Sequence, residues 1–270
     1  MQDPTTFQED SDNSGKFFHI INNRRSIRSF SKQPISEEIL EKILNAGIRA
    51  PFAAQLYSIV FTRDSEKMKK LRGIYSTTQI LLIFFIDFRK IEKIIEQRGY
   101  SYDYDDGMLL WLGMQDAVLA AENIILAADA LGLGSVLIGG TPLQADVIST
   151  LFDIPERVFP VVALCLGYPD TSVETDVRPR YPLKYIAFED SYKDLSESEI
   201  QECMQKMDDG FITQGYYIKL RAKVPLKKGV DTIDYDKYSW SEHQSRKYSQ
   251  GYQWKERLFS IIRRYGFQLD

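Results

Sequence analysis

The sequence predicts an α/β protein of the α+β kind, with three layers: a mixed central sheet flanked by helices, then a C-terminal helical arm. Three observations carry this. Ile80–Ile86 and Pro160–Leu166 are continuous apolar runs of strand length, the pattern of strands covered on both faces. The segments around them return to helical spacing, and helices alternating with two-sided strands describe a layered arrangement. The longest apolar region, Met108–Leu131, is interrupted by Gln115, Asp116, Glu122, Asn123 and Asp129. Each charge near the middle of a bilayer costs several kcal/mol, so this reads as a core or subunit-interface helix and not a membrane span.

In chain order, Ser36 is an N-cap, with Glu37 and Glu38 in a first turn where the helix dipole favours carboxylates. Ile39, Leu40, Ile43, Leu44 and Ile48 then share one face of a helix ending near Pro51. Tyr57–Thr62 is a short strand rich in β-branched and aromatic residues. Asp64–Leu71 is a charged surface helix, and Phe88–Arg98 another helix after the first apolar strand. Beyond the long helix come a short strand at Ser135–Ile138, a helix at Pro142–Phe152 and the second apolar strand. After Tyr168 the texture changes. Pro169, Pro179 and Pro182 mark an extended connection, Ser196–Met207 a polar helix, and Lys219–Tyr238 a long loop of the kind that usually binds something. A helical hairpin begins at Ser241, its last part being Tyr252–Arg264.

Composition excludes several classes. A net charge of −4 argues against general nucleic-acid binding, which needs a basic face. Two cysteines, Cys165 and Cys203, are too few for a disulfide framework and point to a reducing compartment. With only His19 and His243 besides, no zinc spacing exists. No Gly-x-Ser-x-Gly elbow occurs, and Asp103, Asp105 and Asp106 read as a polar loop and helix cap ahead of a metal or hydrolase site. Met1–Ser14 is acidic and polar, unlike a signal peptide, and is expected to be a flexible or expression-derived tail.

The chemistry gathers in three stretches. Arg24-Arg25-Ser26-Ile27-Arg28-Ser29-Phe30 sets three guanidiniums and two hydroxyls in one short segment, a strong anion site because the planar fork of arginine matches phosphate and keeps its charge. A solvated basic turn is the alternative. Gly132-Leu-Gly134-Ser-Val-Leu-Ile138-Gly139-Gly140 is neither a dinucleotide fingerprint, since Leu137 holds the third glycine position, nor a Walker A loop, since Gly140 stands where lysine is needed. Gly132 and Gly134 read as a helix stop, while Gly139 and Gly140 mark either close backbone approach to a ligand or a strand-end turn. Arg178-Pro179-Arg180 follows Leu166-Gly167-Tyr168-Pro169 and offers two cations to one anion, or forms a surface loop.

Taken together and in this order, these stretches resemble the signatures of the FMN-dependent nitroreductase family. Trp240-Ser241-Glu242-His243 and the closing Tyr265-Gly266-Phe267 are similar to its NADPH-linked branch, the oxygen-insensitive nitroreductases and flavin reductases. The resemblance runs from about Phe18 to the end. It implies the nitroreductase fold, with residues 1–15 a tail, 16–182 an FMN-binding core, and 183–270 an excursion with a nucleotide-binding loop inside the same domain. It implies a cytoplasmic homodimeric oxidoreductase that carries FMN at the subunit interface and takes electrons from NADPH, NADH being possible. Hydride would pass by ping-pong kinetics to nitroaromatics, quinones or related small acceptors, with no membrane or nucleic-acid partner and no protein acid or base. A flavin reductase and a non-catalytic FMN sensor or storage protein are the alternatives. Residue by residue, the resemblance gives flavin contacts to Arg24, Arg25, Ser26, Arg28, Gln55, Ile138, Gly139, Gly140, Arg178 and Arg180. Lys219, Arg221, Lys223, Lys227 and Lys228 are candidates for the NADPH 2′-phosphate. One departure stands out: Ala50-Pro51-Phe52-Ala53-Ala54-Gln55 lies where the family carries serines.

Overall fold

The computed structural model describes residues 13–250 and 257–269. The elements are α1 (Asn13–Asn23), α2 (Glu37–Gly47), β1 (Tyr57–Thr62), α3 (Ser65–Lys69), β2 (Ile80–Asp87), α4 (Arg89–Gln97), α5 (Asp106–Ala130), β3 (Gly134–Ile138), α6 (Ala145–Phe152), β4 (Val158–Gly167), α7 (Glu197–Thr213), α8 (Tyr216–Leu220), α9 (Trp240–Ser249) and α10 (Leu258–Arg264). Two compact units divide the chain, one of Met1–Thr175 with Glu256–Asp270, the other of Asp176–Lys255.

In the first unit the sheet has the order β1-β2-β4-β3. The predicted mixed sheet is corrected here: every pairing of these strands is antiparallel, and the parallel pairing among the described residues is the isolated Ser26–Ser135 bridge. Two-sided apolar runs misled because helices cover both faces whichever way the strands run. Ile80, Leu82, Phe84, Val162, Leu164 and Leu166 pack on one side with Leu40 and Ile43 of α2 and Ala117, Ala120 and Ile124 of α5. Leu81, Ile83, Phe85, Ala163 and Cys165 pack on the other with Met68 and Ile148. Pro160 sits within β4, where a register shift at Phe84/Phe85 interrupts the ladder and a missing N–H costs little.

Ser36 caps α2 through the Ile39 N–H, as its sequence implies. By length and composition α5 alone among the described helices could cross a membrane, yet its buried stripe seals against the sheet. That stripe is made of small residues, so the helix lies close: a Cβ on Gly113 would come within 3.3 Å of the Leu56 carbonyl. Several boundaries move. The predicted tail overlaps α1 at Asn13–Gly15, while residues 1–12 lie outside the described residues. The segment before α6 opens as a 3-10 turn at Thr141–Gln144. The polar helix of the second unit runs on to Thr213, and a short α8 holds Lys219, which the sequence put in a loop. Of the last predicted helix, residues 252–256 lie outside the described residues and α10 begins at Leu258.

The second unit has its own small core of Met207, Phe211, Tyr217 and Tyr238. Aromatic edges and faces replace aliphatic interlocking there, Tyr217 stacking on His243 at 5.0 Å and meeting Tyr238 edge-on at 5.1 Å.

Candidate functional site

After α1 the chain runs along the outer edge of β3. Ser26 bridges Ser135, and the Ile27 N–H donates to the Ser135 carbonyl at 2.8 Å. Ile27 lies against Gly134, where a Cβ would stand 2.6 Å from it, so any side chain at 134 would push the segment away. Gly134, expected as part of a helix stop, instead opens β3, and Gly132 alone, at φ 76°, ends α5. Phe30 fills a matching notch at Gly167, and the Ser31 N–H donates to the Tyr168 carbonyl at 2.8 Å. Two apolar pins thus hold the stretch, leaving Arg24, Ser26 and Arg28 half-buried and Arg25 exposed between and before them.

The loop at residues 72–79 completes this edge. Arg28 Nε donates to the Tyr75 hydroxyl at 3.0 Å and its terminal nitrogen to the Ser26 carbonyl at 3.3 Å. Thr77 Oγ1 accepts the Phe30 N–H at 3.0 Å. Two reciprocal bonds join Arg72 to Gln144, at 2.6 and 3.0 Å, tying the loop to the turn that follows β3. The Ile138 carbonyl accepts from Thr141 Oγ1, and a Cβ on Gly139 or Gly140 would meet nothing within 4 Å. Open space therefore stands over that turn. Arg24, Arg25, Ser26, Arg28, Ile138, Gly139 and Gly140 share one edge of the sheet. Tyr75, Thr77 and Gln144 escaped sequence reasoning, because a hydroxyl or amide in a loop carries no pattern of its own.

Asp129, at the end of α5, faces this region. Burial pushes its carboxyl up to about 6, against the pull of Arg24 and Arg25. With His19, Asn23 and Arg25 it lines a 280 Å³ pocket. A larger 970 Å³ cleft opens beside Gly139, walled by Trp111 and Met114 of α5 and Leu258 and Phe259 of α10. The outer face of α5, from Met108 through Trp111, Met114 and Val118 to Leu119, is exposed and apolar.

Gln55 stands elsewhere. It precedes β1, at the opposite edge of the sheet from β3, about 14 Å away at ordinary strand spacing. Its backbone is left-handed, φ 53°, and Pro51–Gln55 are all exposed. Asp116 of α5 accepts N–H bonds from Ala53 at 2.7 Å, Ala54 at 3.3 Å and Leu56 at 3.0 Å.

The remaining candidates belong to the second unit. Arg178 donates to Gln214 at 2.6 Å and stacks over Tyr216 at 4.3 Å, while Arg180 bonds backbone carbonyls of its own turn. Lys219 pairs with Asp176 at 3.3 Å. Lys223 turns inward to Asp231 at 2.9 Å and to the Ile233 carbonyl. Arg221 is exposed in a left-handed conformation, and Lys227 and Lys228 are exposed after it. Arg246, 4% exposed, holds this loop through Asp231, Glu242 and the Val224 carbonyl, a role nothing in the sequence signalled. Among the described residues no group of three His, Cys, Asp or Glu could hold a metal. Asp105 caps α5 and Asp106 binds Arg157, as a polar loop and cap should.

A model of the Nitroreductase family matches residues 21–80 and 81–168. An NADPH-flavin oxidoreductase of Vibrio harveyi is 33% identical over 201 residues, covering 72% of this chain and 79% of its own. Among solved structures, NfrA2 of B. megaterium overlays with a TM-score of 0.78 at 26% identity, covering 94% of this chain and 99% of that one. The NADPH:FMN oxidoreductase from Vibrio harveyi, solved in complex with NAD+, overlays at 0.73 with 28% identity, covering 93% and 97%.

Proposed function

Because the chain belongs to the nitroreductase family, we propose that it is an FMN-dependent, NADPH-preferring oxidoreductase that works as a homodimer on electron-poor acceptors such as nitroaromatics and quinones. It is an NAD(P)H-dependent flavin oxidoreductase. One observation carries the finer reading. The Arg24–Arg28 segment is pinned beside an open glycine turn, and the Arg25 and Arg28 guanidiniums bond carbonyls and a hydroxyl, not carboxylates, among the described residues. Fixed donors with unspent charge suit a phosphate monoester. Arg24, Arg25, Ser26 and Arg28 would hold that phosphate, and the Gly139–Gly140 backbone would lie against the ring system. Bound flavin supplies two-electron chemistry, taking hydride from a reduced nicotinamide and passing electrons to an acceptor.

Gln55 at the opposite sheet edge supports a site shared by two chains, each giving one edge. The apolar outer face of α5 supports the same arrangement, since single-chain packing leaves it uncovered. Of the nucleotide candidates, Arg221 and Lys228 fit the 2′-phosphate better than Lys223, which is held inside the loop. Action in the cytoplasm agrees with free thiols at Cys165 and Cys203. A second reading, reduction of free flavin for a partner enzyme, draws on the name of the Vibrio harveyi relative.

The test is direct. Purified protein should be yellow, release FMN and not FAD on denaturation, and scatter light as a dimer. NADPH oxidation with a nitroaromatic, a quinone and free FMN as acceptors then separates the two readings. A colourless protein that FMN cannot reconstitute would end both.

A further inference from the structure

The turn Pro51–Gln55 buries little surface of its own. All five residues are exposed, two are alanines, and Gln55 sits at φ 53°, a conformation that side chains other than glycine seldom adopt unaided. Something outside the turn must hold it. The holder is Asp116, on the buried stripe of α5 between Gly113 and Ala117 and itself 2% exposed. Alanine would fill that position at lower cost, since a buried carboxylate needs full hydrogen-bond satisfaction. Asp116 finds it in one place, the turn, whose Ala53, Ala54 and Leu56 N–H groups all point to its two oxygens. The bonds skip Gln55, which stays exposed at the end of the turn with its carboxamide bonded to the Tyr57 side chain. Phe52, 58% exposed, is presented with it.

We propose that Asp116 is a positioning residue of the redox site: it holds the turn so that Phe52 and Gln55 face the ligand as an aromatic ring and a carboxamide. This pair suits a planar heteroaromatic ligand, the ring lying against its face and the amide at its polar edge. The assignment rests on the reading that Gln55 contacts flavin. It also accounts for the missing serines of this turn. With hydroxyls absent at Phe52, Ala53 and Ala54, the turn cannot cap itself, and the carboxylate beneath it does so.

The experiment uses the dimeric holoenzyme and three variants: Asp116→Asn, Gln55→Ala and the double substitution. An asparagine keeps the shape but replaces one accepting oxygen with a donor. Amide exchange at Ala53, Ala54 and Leu56 should quicken in Asp116→Asn, and the flavin dissociation constant should rise about tenfold, the scale of one lost charged hydrogen bond. The visible flavin spectrum should shift, and the acceptor KM should rise more than kcat falls. Gln55→Ala should raise the dissociation constant by a similar factor in the wild-type background and hardly at all once Asp116 is gone, because the turn no longer aims the amide. If Asp116→Asn does not accumulate, Asp116→Glu keeps the charge and moves the turn by a methylene, with the same spectral and affinity changes expected. An unchanged flavin affinity and spectrum with only a lower melting temperature would make Asp116 a structural residue and overturn the proposal. Equal effects of Gln55→Ala in both backgrounds would do so too. A wild-type protein that binds no flavin, or whose affinity ignores Gln55→Ala, would overturn the functional reading itself.

Discussion

The Arg24–Arg28 segment and the Lys219–Lys228 segment hold three and five cations, but the count overstates what the larger set offers a ligand. In the first, Ile27 and Phe30 are buried pins, and among the described residues Arg25 and Arg28 bond carbonyls and a hydroxyl. In the second, Lys219 and Lys223 are already matched by Asp176 and Asp231. Arg246 and Lys223 hold the Asp231 carboxyl well below the usual carboxylate range, so that pairing persists at any ordinary pH. Charge counted along a chain is therefore not charge presented. On the proposed reading the first region keeps its charge for a ligand, while the second spends part of its charge on its own carboxylates and keeps a few cations at its rim.

The largest effect should come from removing a pin. Phe30, 3% exposed, fills the notch over Gly167, and truncation of a buried Phe costs about 3–5 kcal/mol. Phe30→Ala should lower the melting temperature and release flavin together, although no charge is altered. If flavin affinity survives the drop in stability, the arginines are placed by something else and the contrast between regions loses its basis.

Arg28→Ala tests the charge with the pins intact. Loss of a charged hydrogen bond should weaken flavin retention by about 1.5–3 kcal/mol, measured by equilibrium titration of the apoprotein with FMN. The ratio of NADPH to NADH turnover should stay where it was. A change in that ratio without a change in FMN affinity would reverse the roles assigned to the two regions.

What the sequence let a reader see follows the same division. The strands Ile80–Asp87 and Val158–Gly167 and the helix Asp106–Ala130 were legible because burial imposes a pattern on every residue in them. Strand direction was not, since a strand buried on both faces reads alike in either orientation. The Arg24–Phe30 stretch was legible as chemistry, but its geometry depends on notches at Gly134 and Gly167, more than 100 residues away. Asp116 was read as a mark against a membrane span, while its work as a buried acceptor needs the turn at Ala53–Leu56, which only the fold brings near. Lys223 read as a candidate for the NADPH 2′-phosphate, and its inward pairing with Asp231, like that of Arg246, was not legible, because ion pairing inside a loop leaves no periodic trace.

Single substitutions along the second segment sharpen the contrast further. Arg221→Ala or Lys228→Ala should lower kcat/KM for NADPH by roughly ten- to hundredfold if that side chain meets the 2′-phosphate, with NADH nearly unaffected. The advantage of NADPH should also shrink as salt screens the contact. Lys223→Ala should behave differently, loosening the loop and lowering kcat/KM for both donors in parallel. If Lys223→Ala is the variant that erases donor preference, the inward pairing with Asp231 is not kept in the working enzyme, and the description of the second region fails.

The smallest effect concerns Asp129, an anion that faces the arginines. Burial holds the Asp129 carboxyl near 6, above its ordinary value of 3.8, with Arg24 and Arg25 opposing the shift and Glu122 adding to it. The sign follows from which state binds the proton more tightly. Below about pH 4 the carboxyl is neutral in folded and unfolded chains alike, and its contribution is intact. Between about pH 4 and pH 6 the unfolded chain gives up the proton first, so stability falls, and above that it levels off. The full shift would amount to about 3 kcal/mol, but the group is only half-buried, and solvent screening reduces this to about 1 kcal/mol. Asp129→Asn should therefore match wild type near pH 4 and exceed it near pH 7 by roughly 2–3 °C in melting temperature. His19 lines the same pocket, so the difference between the two proteins, not either curve alone, is the quantity to read. Inorganic phosphate should also protect Asp129→Asn more than wild type, because Arg24 and Arg25 lose their nearest competitor. Parallel melting curves from pH 4 to pH 7, with equal protection by phosphate, would mean that the arginines fully offset the burial of Asp129. The first region would then neutralise its own charge much as the second does, and the distinction between them would rest on the pins alone.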